Sequence, residues 1–504
     1  MVEKINNFFE YINMNNKRYY ISLTIFSIVF GFIATLLFCY CASPLYFQPN
    51  SNGCDSSMIK VLGTTINGGG KPYIDCLDHK GPYLFWYSAL AAFINRTYGF
   101  YVMQSIVSAI CIFGVIELCR SLKLGKLSSL FVVCFFVTIY FTAFEGTTAD
   151  DAFMFAMILP IAYVVRGIIN NDTKYLRYAI FLNGLCLGIL LFVRPSNVLI
   201  PMLLALLVVI YCFYNKCIKE LFIIAAFGFL GIFITSGIAM LVSYLGGYFN
   251  EMMEYTFIKN FSYSRGTTDI FFEKKICIFL AFETSIAELI IVILFRKSFS
   301  KELFIFMAIL SGFLLFSGLT MCVYTHHFKQ FTGLYILTLA YPLKYLENKE
   351  FKYTKLILKI ISSLTIVSML IYGIISPIVT YNFTGETGHK NLEKLTEVKK
   401  YINENGKENP NLLAIDTIST SYLALDINPK YNKFTYQSWW QYNGVYPTLY
   451  EEMTTYIDSN VDYIIIASNS GYKNYDDFKI ILETKFNLVI DYSYDGVWEL
   501  YERI

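Results

Sequence analysis

The sequence predicts a polytopic α-helical membrane protein of about eleven transmembrane helices, N-terminus inside and C-terminal region outside, ending in a small extracytoplasmic α/β domain. Three observations predict it. The 504 residues are 56% hydrophobic and 15% charged, with a mean hydropathy of +0.49, whereas soluble domains carry about 25% charge. Apolar runs of spanning length recur along most of the chain. Basic residues gather in alternate connections between those runs.

The runs fall at 21–41, 84–119, 127–144, 152–168, 177–193, 197–214, 220–245, 276–295, 302–323, 328–346 and 356–381, each bounded by polar, Pro or Gly punctuation. The second is too long for one straight span and divides into an interfacial piece (84–95) and a true span (100–119). Lys4, Lys17 and Arg18 precede the first run. That run is long enough to cross a bilayer and reads as a retained helix, not a cleavable signal. By the positive-inside rule the N-terminus is cytoplasmic. Arg120/Lys123/Lys126, Arg166/Lys174/Arg177, Lys216/Lys219, Arg296/Lys297/Lys301 and Lys344/Lys349/Lys352/Lys355 then fall on the same side.

Residues 1–383 form the membrane part, including an extracytoplasmic loop at 43–83; residues 384–504 form the second domain. Past Thr384 short apolar runs, 412–416, 463–468, 488–492 and 497–501, alternate with helix-like segments at 392–405, 449–458 and 475–485. That alternation predicts an α/β unit. It has no Gly-rich phosphate loop and so is not read as nucleotide-binding. The net charge of +2 carries no basic block, which removes nucleic acid as a partner.

Most of the cysteines, such as Cys39, Cys111, Cys134, Cys186 and Cys212, lie inside apolar runs and act as small hydrophobes. Cys54 and Cys76 share the first loop and can pair if that side is oxidising. No Cys/His cluster has metal-ligand spacing, so no cofactor is expected, although the first-loop acids leave room for a divalent cation.

The chemistry concentrates between Asp55 and Trp86. A connection needs only a few polar residues, yet this one holds Asp55, Asp75, Asp78, His79 and Lys80 and ends in an aromatic run. Asp55 opens DSSMIKVLGTTI, which reads as an amphipathic interfacial helix; its carboxylate is either a general base for an incoming hydroxyl or an N-cap. Lys80 can meet a phosphate as a point charge or snorkel at the interface. Asp150 and Asp151 begin the fourth helix, as an acid pair or as helix-dipole partners. Arg194, His326, His327 and Lys329 lie on the same membrane face and suit an anion, or simply mark helix ends. Together they argue for a pocket that handles a phosphate and a hydroxyl. Glu283 and Glu288 lie within an apolar run, where an ionisable group is functional by default.

Asp55-Ser56, then Tyr73-Ile-Asp-Cys-Leu-Asp78-His79-Lys80-Gly81-Pro82-Tyr-Leu-Phe-Trp86, then a helix starting Asp151-Ala-Phe-Met-Phe, resemble the GT-C superfamily of membrane glycosyltransferases. The resemblance is nearest to the branch of protein O-mannosyltransferases and the lipid A aminoarabinose transferase, and it covers roughly residues 15–380 in helix count, polarity and loop content. It implies a sugar moved from a polyprenyl phosphate to an acceptor at the outer face. It implies Asp55 as the acid that activates the acceptor, Asp78 with Lys80 as a second acidic/basic element, and Asp151 as the acid that follows. The doubled Asp150-Asp151 leaves open which of the two is equivalent. Arg194, His327 and Lys329, with His326 beside them, fall where donor phosphate is contacted.

The expected reaction is a single inverting displacement at the cell membrane, with Asp55 as base and a cell-envelope glycan, lipid or protein as acceptor. The competing class is a transporter or lipid-linked-sugar flippase. Transporters place polar groups at the membrane midplane, whereas here all but Glu283 and Glu288 lie in loops on one face.

Overall fold

The computed structural model describes residues 16–39, 41–44, 54–96, 98–142, 148–153, 155–260, 332–348, 385–405, 410–415, 420–435, 448–466, 475–491 and 499–504, with isolated helical positions between 285 and 312 and between 356 and 375. Helices dominate. The membrane part contains α1 (Asn16–Phe38), α2 (Cys54–Asn67), α3 (Pro82–Ile94), α4 (Gly99–Ser121), α5 (Lys126–Thr142), α6 (Phe155–Ile169), α7 (Thr173–Leu191), α8 (Leu199–Tyr214), α9 (Ile218–Leu245), α10 (Phe249–Met253) and α11 (Thr332–Asn348). Five segments among the described residues are long and apolar enough to cross a membrane: Arg18–Phe38, Gly99–Ser121, Thr173–Leu191, Pro195–Tyr214 and Ile218–Leu245. The α3 and α4 division matches the expected split of run 84–119. The expected spans 276–295, 302–323 and 356–381 lie almost wholly outside the described residues.

Packing in the bundle relies on small side chains, because lipid supplies no hydrophobic drive between helices. Along α7 and α9, a Cβ on Gly184 would come within 2.1 Å of the Gly228 carbonyl oxygen. Between α1 and α4, Thr35 donates a hydrogen bond to Ser108 at 2.9 Å.

The bundle has two chemically different ends. At one, the α4–α5 connection is tied to α11: the Gly125 N–H and Ser128 hydroxyl donate to Glu347 at 2.8 and 2.6 Å, and Lys344 donates to the Lys123 carbonyl at 2.5 Å. Arg177 pairs with Glu220 at 2.5 Å on the same end, between α7 and α9. Basic connections far apart in sequence are thus neighbours. The other end carries α2, the segment 71–81 and the C-terminal unit.

That unit contains α12 (Gly385–Asn405), β1 (Leu412–Ile415), α13 (Thr420–Leu425), α14 (Leu449–Asn460), β2 (Tyr463–Ile466), α15 (Tyr475–Lys485), β3 (Phe486–Asp491) and β4 (Glu499–Arg503). Its sheet order is β1-β2-β4-β3. β1 and β2 run parallel, Leu412 opposite Tyr463, and both are buried throughout, as parallel strands usually are. β4 runs antiparallel to both neighbours. Arg96, in the α3–α4 connection, anchors the unit to the bundle through Asp426 at 2.7 Å and the carbonyls of Tyr422 and Ile427.

One expectation is overturned here. α2 forms where an amphipathic helix was expected, but it does not lie with one face in water: Ser56 through Leu62 are all buried. Ile59 enters the bundle core. Met58 and Leu62 join a cluster with Tyr73, Phe85 and Ile464. Val61 packs with Leu395 and Leu412 of the C-terminal unit. Residues 56–65 are thus clasped by three cores and present no face to solvent, and Gly63, where a Cβ would lie 2.2 Å from the Ser88 carbonyl oxygen, allows α3 to approach. The possible Cys54–Cys76 bridge is also corrected, since Cys76 is a free, buried thiol.

Candidate active site

The site is built from two turns that meet at the α2 end of the bundle. The first is Asp78–Pro82. Asp78 is fully buried, and a carboxylate out of water must be paired. Its Oδ1 accepts the Lys80 backbone N–H at 3.0 Å, an Asx-type turn. Its Oδ2 lies 3.3 Å from the Lys80 ammonium, and His79 Nδ1 lies 3.4 Å from Oδ1. Asp78 therefore fixes the Lys80 backbone and aims its side chain. Pro82 then starts α3 at the position where its missing N–H costs nothing.

The second turn is Val193–Asn197. Gly81 donates its N–H to the Val193 carbonyl at 2.8 Å, and a Cβ there would lie 1.9 Å from the Phe192 oxygen. Only glycine allows the two backbones to approach so closely. Arg194 follows immediately and donates from Nη1 to Asp150 Oδ2 at 3.1 Å. Asn197 completes the clamp by donating to Asp150 Oδ1 at 2.8 Å. Asp150 itself is buried, 5% exposed.

The backbone contact of Gly81 with Val193 thus joins two ion pairs, Asp78–Lys80 and Asp150–Arg194. Four of the candidates come together this way. Asp150 and Asp151 do not open the long helix as expected; they occupy a separate turn, Ala149–Ala152, ahead of α6. Asp55 lies in the first turn of α2, one turn before Met58. The side chains of Asp55 and Asp151 are not among those described, and His326, His327, Lys329, Glu283 and Glu288 lie outside the described residues. Among the described residues no three His, Cys, Asp or Glu side chains are placed to hold a metal ion.

Four residues to which the sequence assigns no role support the site: Tyr73, Thr256, Trp86 and Lys60. Tyr73 has φ +65° and a fully buried ring that lies parallel to Tyr255 at 6.2 Å and tilted on Phe85 at 4.5 Å. Its hydroxyl donates to the Lys80 carbonyl at 2.9 Å and lies 3.3 Å from the Thr256 hydroxyl. Burial pushes the phenol well above its ordinary value, so it stays a donor. Thr256 belongs to a π-helical turn, Glu254–Lys259, a distortion common at functional sites. Trp86 reaches the same region, donating to the Tyr248 hydroxyl at 3.1 Å. Tyr73→Phe keeps the ring packing and removes the grip on Lys80. It is expected to cost about 1 kcal/mol of stability and, measured as turnover against donor concentration, to lower kcat/KM about tenfold.

Lys60 is the fourth. It is completely buried on α2 and donates to the Cys41 carbonyl at 2.5 Å, tying the helix of Asp55 to the end of α1. Burial lowers its pKa from 10.5 to about 8, with Cys41 and Cys39 opposing. A value depressed on folding means that, between pH 8 and 10.5, the unfolded chain holds the extra proton and stability rises with pH. Unfolding of wild type and Lys60→Met across that window is expected to show about 3 kcal/mol of pH-dependent gain that the variant lacks.

No protein-family model and no curated protein matches the sequence. Solved structures do. ArnT from Cupriavidus metallidurans bound to undecaprenyl phosphate is similar at a TM-score of 0.56 and 10% identity, over 96% of this chain and 98% of that chain. The fold is that of ArnT. The apo state of ArnT gives a TM-score of 0.50 at 11% identity, over 97% of this chain and 99% of that chain. ArnT is the lipid A aminoarabinose transferase, the branch that the first-loop residues resemble, and the ArnT fold extends over both the bundle and the sheet-bearing C-terminal unit.

Proposed function

We propose that this chain is a membrane glycosyltransferase that moves a sugar from a polyprenyl-phosphate donor to an extracytoplasmic acceptor, which is a cell-envelope glycan, lipid or protein. Eleven spans with the N-terminus inside put the Asp78–Arg194 corner and the C-terminal unit at the outer leaflet. The polyprenyl tail lies along the helices and the phosphate rests against Lys80, with Arg194 and the His326–Lys329 segment contributing positive charge.

Asp55 takes the proton of the acceptor hydroxyl. The freed oxygen forms a bond to the anomeric carbon while the bond from that carbon to the phosphate oxygen breaks on the opposite side, so the configuration inverts. The electron pair leaves with the polyprenyl phosphate. Placing cations where negative charge grows is the largest catalytic contribution, and a buried Lys80 is stronger there than in water. Asp78 holds that lysine in place, and Asp151 is the further acid of the scheme. No cofactor takes part in it.

The observation that supports this reading most is the joining of Asp78–Lys80 to Val193–Arg194 in a chain with the fold of a protein crystallised with undecaprenyl phosphate. The test is glycan and lipid analysis of cell envelopes from wild type and Asp55→Asn. Loss of one sugar from one envelope component is expected. Unchanged composition, with the variant present at wild-type level in the membrane, would refute the proposal.

A further inference from the structure

The far end of the bundle holds a second charged cluster that the transfer reaction does not use. Glu117, in the last turns of α4, is fully buried. Arg120 on the same helix and Arg166 on α6 each place Nη1 3.4 Å from one of its carboxylate oxygens. Tyr20, near the start of α1, accepts from both Nη1 atoms at 2.9 and 3.2 Å, and Tyr19 donates to Glu117 at 3.4 Å. The Arg120 guanidinium stacks 4.2 Å above the Tyr19 ring, and Arg166 lies 5.2 Å over Tyr175.

This is not a closed structural salt bridge. Two guanidiniums face one carboxylate, leaving one positive charge. The 3.4 Å separations are long for a fork-to-fork pair, which settles at 2.7–2.9 Å. Among the described residues, Nη2 and Nε of both arginines have no hydrogen-bond partner, and the two side chains remain 30% and 28% exposed. α6 runs from beside Asp151 to Arg166, so roughly 20 Å of helix separates the cluster from the Asp78–Arg194 corner. Beside Tyr20, the α1 side chains Ile21 and Ile25 are exposed, forming an apolar strip that leads from the arginines along a spanning helix.

We propose that Arg120 and Arg166 bind the phosphate diester of an anionic phospholipid, whose acyl chains run down the Ile21–Ile25 face of α1. The free guanidinium donors are the right groups for phosphate oxygens. The tyrosines suit the headgroup level, and basic pockets between helix ends are where anionic headgroups settle. By the positive-inside orientation this is the cytoplasmic leaflet, so the protein would grip a structural lipid on one side while it handles its donor on the other.

The test is native mass spectrometry of the full-length protein in detergent, titrated separately with phosphatidylglycerol, phosphatidylcholine, inorganic phosphate and the soluble headgroup glycerophosphoglycerol. Wild type is expected to retain phosphatidylglycerol about tenfold more tightly than phosphatidylcholine, with the soluble phosphates competing only weakly. Arg120→Lys/Arg166→Lys keeps the charge but loses the fork, and is expected to weaken retention severalfold. Arg120→Gln/Arg166→Gln strands a buried carboxylate, so Glu117→Gln is added to keep that variant folded; the triple variant is expected to lose the preference entirely. Equal retention of both lipids by wild type, or a wild-type preference in the folded triple variant, would overturn the proposal. Inorganic phosphate binding as tightly as phosphatidylglycerol would also overturn it, in favour of a soluble oxyanion.

Discussion

Asp78→Asn is expected to lower turnover by about 10²–10³-fold and stability by about 3 kcal/mol. The two losses have one cause. Asp78 is completely buried and lies 3.3 Å from a lysine that is itself almost fully buried. Removing the carboxylate charge takes away the acid that lies 3.3 Å from this ammonium in a poorly solvated place. The amide still accepts the Lys80 N–H, so the turn survives while the side chain loses its aim. The double variant Asp78→Asn/Lys80→Met removes both charges together and should recover most of the stability, because a neutral pair of similar volume needs no compensation. It should recover none of the activity. Unfolding and turnover measured across that double-mutant cycle separate the two roles; a double variant no more stable than the single one would contradict the pairing.

Gly81→Ala should have an effect of similar size for a steric reason. Gly81 has φ −80° and ψ 171°, a conformation open to any residue, so backbone strain plays no part. The added Cβ would meet the Phe192 oxygen at 1.9 Å and its carbonyl carbon at 2.2 Å. Neither is a side chain that can rotate away, so the two turns must part. Overpacking of this kind costs about 1–3 kcal/mol, and a displacement of about 1 Å at a reacting centre costs about 10²-fold in rate. Gly237→Ala is the control: nothing lies within 4 Å of its Cβ position, and the variant should match or slightly exceed wild-type stability. Thermal unfolding in detergent, alongside turnover, distinguishes the two.

Among the described residues, the long apolar helices are legible in the sequence because hydropathy acts directly on them. The run 197–214 becomes α8, the run 220–245 becomes α9, and 177–193 becomes most of α7, each within a few residues. The strands of the C-terminal unit follow the same logic, since Tyr463–Ile466 is apolar on both faces and can only be buried. α2 is misread because alternation of Ser, Lys and Thr with apolar residues looks alike whether the polar groups face water or are hydrogen-bonded in an interior. Lys60, capped by the Cys41 carbonyl, is the residue that makes the difference. In the site, Asp78 and Lys80 stand out because two residues of spacing guarantee proximity. The Asp150–Arg194 pair does not, since its partners are 44 positions apart with two helices between them. Asn197 offers only its place three residues after Arg194, within the 3-10 turn Pro195–Val198. Tyr73 is one tyrosine among 41, and nothing local marks it as the one that holds Lys80.

The most direct test of the account is the affinity of the purified full-length protein for undecaprenyl phosphate, measured in lipid nanodiscs for wild type and Lys80→Met. If the corner of Asp78–Lys80 and Val193–Arg194 receives the lipid-linked phosphate, wild type binds saturably and the variant binds about tenfold or more weakly. Equal affinity in the two proteins, or no saturable binding by wild type, would contradict it.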